Sequence, residues 1–117
     1  MARRLDGLLI SALRAAGSAA LEIMRVYAGD FSVQSKQDSS PITEADRRAH
    51  RAIERELSAS GYPVLSEEGP PLPYAERRRW RTFWLVDPLD GTKEFIKRNG
   101  EFTVNVALIE RRRPVLG

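Results

Sequence analysis

The chain has 117 residues, which suits one domain, and its 42% hydrophobic and 30% charged residues are those of an ordinary soluble globular protein. It has no cysteine and one histidine, His50. This excludes disulfides, thiolate zinc sites, cysteine nucleophiles and histidine metal clusters, so a metal would sit on oxygen ligands, as Mg²⁺, Mn²⁺ or Ca²⁺ do. The net charge of +3, supplied mostly by arginine, is compatible with anionic ligands, including nucleotides and nucleic acid.

The opening stretch, MARRLDGLLISALRAAGSAA, has the basic, apolar, then small-residue order of a secretory leader. Asp6 and Arg14 interrupt its apolar run, so no clean leader core forms. No segment approaches the roughly 20 apolar residues of a transmembrane helix. The start reads as a helix of a cytoplasmic protein, with a peripheral position at the inner membrane face as the alternative. Leu5, Leu8, Leu9, Ala12, Ala16, Ala19, Ala20, Ile23 and Tyr27 recur at three- and four-residue spacing. That predicts an amphipathic helix over 3–27, ended by Gly29-Asp30.

FSVQSK predicts a short strand. Gln37 to Pro41 predicts a loop, in which Pro41 holds Ser40 extended. Thr43 opens a second helix. Its Thr-x-x-Asp start has the form of a capping box, with Asp46 where Glu or Gln is usual. Ala45, Ala49, Ile53 and Leu57 are its apolar stripe, and Ser58 to Gly61 closes it. PVLSEE predicts a short buried strand ending in two acids. GPPLPYAERRRW predicts a loop with a charged turn, and TFWLV a strong apolar strand. DGTKEFIKRNG predicts a turn and a short helix. FTVNVALIE alternates, with Phe102, Val104, Val106 and Leu108 on one face and Thr103, Asn105, Ala107 and Ile109 on the other. Arg111 to Pro114 predicts a hairpin turn, after which VLG begins a returning strand.

Two helices followed by strands predict an α+β fold, with the helices packed on a largely antiparallel sheet. The chain stops as an apolar strand begins, and an unpaired edge invites association. This predicts the front part of a longer protein, or a chain that pairs with another through its unfinished sheet.

The chemistry gathers at two strand ends. Glu67 and Glu68 follow one apolar strand; Asp87 and Asp90 follow another. If these strands are neighbours, several carboxylates meet. Two carboxylates ~4 Å apart repel by about 4 kcal/mol at an effective dielectric of 20, so a cluster calls for protons or a hard divalent cation. Pro88 is expected to turn the chain, so that Asp87 and Asp90 face one point and the Leu89 carbonyl is free as a further ligand. Gly91 and Thr92 follow at the start of a short helix, where backbone N–H groups suit a phosphate oxygen. Each motif also has a plain reading: D-x-x-D after a strand often forms a polar turn, and paired glutamates often open a solvated helix.

WLVDPLDGTKEFI resembles the D-P-L/I-D-G-T signature of the inositol monophosphatase superfamily of Mg²⁺-dependent, lithium-sensitive phosphatases. The stretch from Asp38 to Asp46, with PVLSEE and DGTKEFIKRNGEFTVNVALI, resembles its CysQ-type branch, the 3′(2′),5′-bisphosphate nucleotidases. The resemblance covers nearly the whole chain. It implies the front half of an αβαβα fold, with residues 1–117 forming the N-terminal metal-binding domain. It implies two or three Mg²⁺ ions in the complete enzyme. Glu67, Asp87 and the Leu89 carbonyl would hold the first, and Asp87 and Asp90 would share the second. Thr92 would pair with Asp46 to orient or deprotonate the attacking water, with Glu67 as the other candidate activator. The Gly91 and Thr92 amides would hold phosphate, with a weaker claim for Lys36, and Glu68 would support a ligand without touching the metal. Family members continue for a comparable length, which normally supplies another aspartate and most of the nucleoside pocket. A fragment without that half is expected to turn over little or not at all.

The implied reaction removes the 3′-phosphate of 3′-phosphoadenosine 5′-phosphate to give AMP, clearing a by-product of sulfate assimilation. Inositol monophosphatase activity is the alternative within the family, and a basic nucleic-acid-binding module the alternative of another class. RRRWR at Arg77–Arg81 reads more simply as a solvated loop anchored by Trp80, so no stable nucleic-acid binding is expected. His50 reads as a surface or packed structural residue. Lys93, Lys97 and Arg98 follow the phosphate turn and could steer an anionic substrate. Phe83 and Trp84 read as core.

Overall fold

A computed structural model describes residues 2–29, 33–35 and 41–117. Lys36 and the predicted loop from Gln37 to Ser40 lie outside the described residues. Helix α1 spans Ala2–Tyr27 and α2 spans Glu44–Leu57. They pack together along a seam of Leu8, Ala12, Ala15, Ala19, Ile23 and Val26 on α1 and Ala45, Ala49, Ala52, Ile53 and Leu57 on α2, all buried. The small side chains allow close approach of the backbones. This seam is narrower than the predicted stripe: Leu9 is 42% exposed and Ala20 is exposed, while Ala15 and Val26 are buried instead. One partner helix covers one face, and the 3.6-residue period carries Leu9 and Ala20 off it.

Arg4–Tyr27 of α1 has the length and hydropathy of a membrane span, which corrects the expectation that no segment does. Its alanine-rich seam packs on α2, while Leu9, Ile10, Leu13, Leu21 and Met24 of the same helix are exposed. An ion pair of Arg48 with Glu22 at 2.6 Å also ties α1 to α2, and Arg4 bonds Glu110 at 2.9 Å and Tyr62 at 3.0 Å across the fold.

Val33–Ser35 (β1) pairs antiparallel with Pro41–Thr43 (β2), so Pro41 belongs to a strand rather than a loop. Thr43 then caps α2 with the full reciprocal capping box, Asp46 included. A 3₁₀ turn, Ser58–Ser60, ends α2, and Gly61 takes the left-handed conformation at φ 77°.

The main sheet has the order β3-β4-β5-β6, from Val64–Ser66, Thr82–Asp90, Thr103–Glu110 and Arg113–Leu116. β3 and β4 are parallel; the other pairs are antiparallel. The sheet is therefore mixed and largely antiparallel, and the α+β expectation holds. β3 is half-buried rather than buried, because it is an edge strand. Tyr74–Arg77 winds into one helical turn, α3, where a loop is predicted. Trp84, Val86 and Leu108 face the helices and are buried. Each such side chain contributes about 1.5–3 kcal/mol. Leu85, on the opposite face of β4, is 46% exposed and Val115 of β6 is 41% exposed. Total exposed surface is 7618 Å², against about 6,400 Å² expected of a folded monomer this size; part of the excess is this open sheet face.

β4 does not turn at Pro88. It pairs with β5 through Asp87↔Asn105 and again at Asp90↔Thr103, with a register shift between. Two residues on β4, Pro88 and Leu89, oppose one on β5, Val104, which is a bulge. Proline has no N–H for the ladder, and a bulge absorbs it without ending the strand. The turn comes later, at Gly91, φ 94°. A Cβ there would lie 2.8 Å from the Glu101 carbonyl oxygen, so the close approach of residues 91 and 101 requires glycine. Helix α4, Thr92–Ile96, follows.

Candidate active site

Parallel pairing brings the acids together. Ser66 lies opposite Val86, so β3 and β4 run out at the same end of the sheet. The Glu67 N–H donates to the Val86 carbonyl at 3.2 Å and carries the ladder one residue into the acidic turn. Antiparallel pairing would have sent Glu67 to the far end from Asp87. A cavity of about 590 Å³ adjoins this end, lined by Leu9, Leu13 and Val106 together with Glu67 and Asp87.

That apolar setting explains the state of Asp87. Its carboxyl is held above the ordinary value, first by burial, then by the charges of Asp90 and Glu67, with a smaller push from Glu68. A hydrogen bond from the Leu89 N–H opposes the shift. Asp87, Asp90, Glu67 and Glu68 thus share one electrostatic neighbourhood. Among the described residues, no three acidic or histidine side chains close to ligand spacing. The donor set is all hard oxygen, and its excess negative charge is the kind a divalent cation such as Mg²⁺ relieves. The residues fit such an ion in chemistry, with the side chains splayed. The Leu89 carbonyl accepts a long 3.4 Å hydrogen bond from the Thr92 hydroxyl, which leaves it a second lone pair.

Asp46 and Thr92 meet. The Thr92 hydroxyl donates to Asp46 Oδ1 at 2.8 Å. The other carboxylate oxygen, Oδ2, accepts from the Thr43 N–H at 2.8 Å and the Thr43 hydroxyl at 2.7 Å. Asp46 and Thr43 are fully buried. The capping box therefore does double duty: it starts α2 and fixes the beginning of α4. Gly91 and Thr92 stand at that beginning, with Gly91 as the N-cap. Glu68 donates its N–H to the Ser66 hydroxyl at 3.3 Å.

Two residues gain a place here that their types alone do not announce. Asn105 sits opposite Asp87 on β5, and its amide donates to Asp90 Oδ2 at 3.1 Å. The available signal was an amide in an apolar strand, in register with the aspartates. His50 bonds Ser66, the residue before Glu67. Arg98 departs from its expected part. Its guanidinium donates to the Tyr27 and Gly29 carbonyls at 2.6 Å each and lies over the Tyr27 ring. The carbonyls at a helix C-terminus carry partial negative charge and attract a cation, so Arg98 serves α1 rather than facing an anion. Lys93 and Lys97 are exposed. Trp80 packs against Phe83 at 5.6 Å, as a loop anchor does.

The helices lie on one face of a mixed sheet, and the carboxylates gather where two parallel strands end, beside the start of α4. Residues 5–117 match the model of the inositol monophosphatase family, and the chain belongs to that family. Within it, the chain is similar to the 3′(2′),5′-bisphosphate nucleotidase CysQ of Salmonella typhimurium, 58% identical over 99 residues, covering 81% of this chain and 40% of that protein. CysQ of Escherichia coli strain K12 is 57% identical over the same length. The solved CysQ of Bacteroides thetaiotaomicron superposes with a TM-score of 0.80 at 51% identity, covering 93% of this chain and 40% of that one. The extragenic suppressor protein suhB of Bartonella henselae gives 0.81 at 28% identity, covering 93% and 43%. The resemblance to the CysQ-type branch holds, and the chain spans about two fifths of the length of these relatives.

Proposed function

We propose that this chain is the N-terminal, cation- and phosphate-handling domain of a phosphatase that removes the 3′-phosphate of 3′-phosphoadenosine 5′-phosphate, giving AMP. The observation that carries the reading is the Thr92–Asp46 hydrogen bond at 2.8 Å beside the Glu67, Asp87 and Asp90 strand ends. The similarity to CysQ favours the nucleotide over an inositol phosphate in this reading. Glu67, Asp87, Asp90 and the Leu89 carbonyl would hold Mg²⁺, which when bound supplies charge neutralisation and an acidified water. Thr92 donates its hydroxyl proton to Asp46, and its oxygen keeps acceptor capacity for a water. As water gives a proton to the Thr92 oxygen, the hydroxyl's own proton passes to the Asp46 carboxylate, and the resulting hydroxide attacks the phosphorus, with Glu67 as the other candidate acceptor. The backbone N–H groups of Gly91 and Thr92 would bind the phosphate oxygens. The relatives' length outside the matched stretch carries further substrate contacts in this reading, so we expect the 117-residue chain to bind cation with little or no turnover.

The test measures phosphate release from 3′-phosphoadenosine 5′-phosphate and from inositol 1-phosphate, with Mg²⁺, alongside cation binding by calorimetry. Cation binding lost in Asp87→Asn, with any release favouring the nucleotide, supports the reading. Preference for inositol phosphate defeats the nucleotide assignment. Robust turnover by this chain defeats the expectation of incompleteness.

A further inference from the structure

His50 stands one helical turn after Asp46 and one before Glu54, so the three side chains form a row at i, i+4 and i+8 on α2. Its side chain is 13% exposed. Nε2 meets Glu54 Oε1 at 2.8 Å, and Nδ1 lies 2.9 Å from the Ser66 hydroxyl. A carboxylate at Nε2 selects the tautomer with its proton there, and Nδ1 then accepts from Ser66. The Ser66 oxygen in turn accepts the Glu68 N–H at 3.3 Å. A Cβ on Gly69 would lie 3.5 Å from His50 Cε1, so the imidazole packs directly beneath the turn.

We infer that His50 is a positioning residue for the Glu67–Glu68 turn, acting through Ser66. The row on α2 gives this a geometric sense. Asp46 fixes the Thr92 turn and His50 fixes the Ser66 turn. A four-residue step along the helix, ~6 Å, therefore sets the spacing of the two turns that frame the carboxylates. Glu54, half-exposed, holds the ring from behind. The link to cation affinity rests on the function proposed above; the link to the turn does not.

The experiment uses the 117-residue chain with His50→Phe, His50→Asn and Ser66→Ala. Two readings are taken: exchange of the Glu68 amide by NMR, and Mn²⁺ affinity by electron paramagnetic resonance. His50→Phe and Ser66→Ala should speed Glu68 exchange about tenfold while the Ile53 amide keeps its protection. Mn²⁺ should bind about tenfold more weakly, as it does when a residue supporting ligands is lost. His50→Asn, which keeps a polar atom near the Nδ1 position, should recover most of both. Unchanged Glu68 exchange in a folded Ser66→Ala chain overturns the inference; that variant leaves α2 untouched, so it answers even where His50→Phe fails to fold. A wild-type chain that binds no Mn²⁺, yet shows His50-dependent Glu68 exchange, supports the positioning role and sinks the functional reading instead.

Discussion

Thr92 and Asp46 are 46 positions apart in sequence and joined by a 2.8 Å hydrogen bond, so the residue that starts α4 is held by the residue that caps α2. Thr92→Val keeps the shape and deletes the donor. It leaves Asp46 Oδ1 short of a partner in a buried setting, which should cost about 1.5–3 kcal/mol. Thr92→Ser should recover most of it. Urea denaturation of the three proteins reads the difference; equal midpoints would show that the bond contributes nothing.

Asp87 should contribute less stability to the metal-free protein at neutral pH than in acid. Its folded-state pKa lies above the ordinary 3.8, so the unfolded chain releases the proton first as pH rises. The group's contribution is neutral below that value. It turns destabilising through the window up to the raised folded value, then levels off. Asp87→Asn should therefore match wild type in acid and exceed it at neutral pH in chelator. Added Mg²⁺ should reverse the order, because only wild type gains from binding. Thermal melts across pH, with and without Mg²⁺, test both signs.

Gly91→Ala meets two obstacles: φ of 94° and a carbonyl oxygen 2.8 Å from the new Cβ. The strain alone is about 1–3 kcal/mol, and the clash adds to it by pushing residues 91 and 101 apart. The expected result is a large drop in melting temperature. Gly7→Ala, at an open position inside α1, should instead raise stability slightly; an unchanged melting temperature in Gly91→Ala would contradict the geometry.

Asn105→Ala releases Asp90 from its 3.1 Å hydrogen bond. The bond is exposed, so stability should fall by no more than about 1 kcal/mol. Cation affinity should fall more visibly, since Asp90 then swings freely next to Asp87. Calorimetric titration with Mg²⁺ decides, and unchanged affinity would assign Asn105 to the strand alone.

Arg111 and Arg112 turn the β5–β6 hairpin at φ 49° and 67°, the conformation that favours Asn-Gly. The double replacement Arg111→Asn, Arg112→Gly should stabilise the chain by about 1 kcal/mol. No change in denaturation midpoint would mean that the arginines recover the strain elsewhere.

Long, periodic elements could be read from sequence because their pattern states their burial. The stripe of Ala45, Ala49, Ile53 and Leu57 is buried as expected, and Thr43 with Asp46 forms the predicted capping box. The bulge at Pro88 could not be read so well, since proline is compatible with a turn or an interrupted ladder, and only the partner strand decides between them. Asp46 and Thr92 came together in sequence through resemblance, while Asn105 and His50 did not. Their hydrogen bonds depend on register across strands and on the angle between α2 and β3, which no local spacing encodes. Arg98 failed for the same reason: its partners are carbonyls at the end of α1, distant in sequence.

The bond between Arg4 and Glu110 also sets an order of events during synthesis. Its partners are separated by 106 positions. As the chain leaves the ribosome, Arg4 can meet Tyr62 first and gains Glu110 only once β5 has been made. Until then α1 has α2 and the Tyr62 segment to settle on, both made early, so the helix pair is the expected first unit and the sheet closes upon it. In a refolding experiment, Glu110→Gln should quicken unfolding and leave the folding rate nearly unchanged, the behaviour of a contact made after the rate-limiting step.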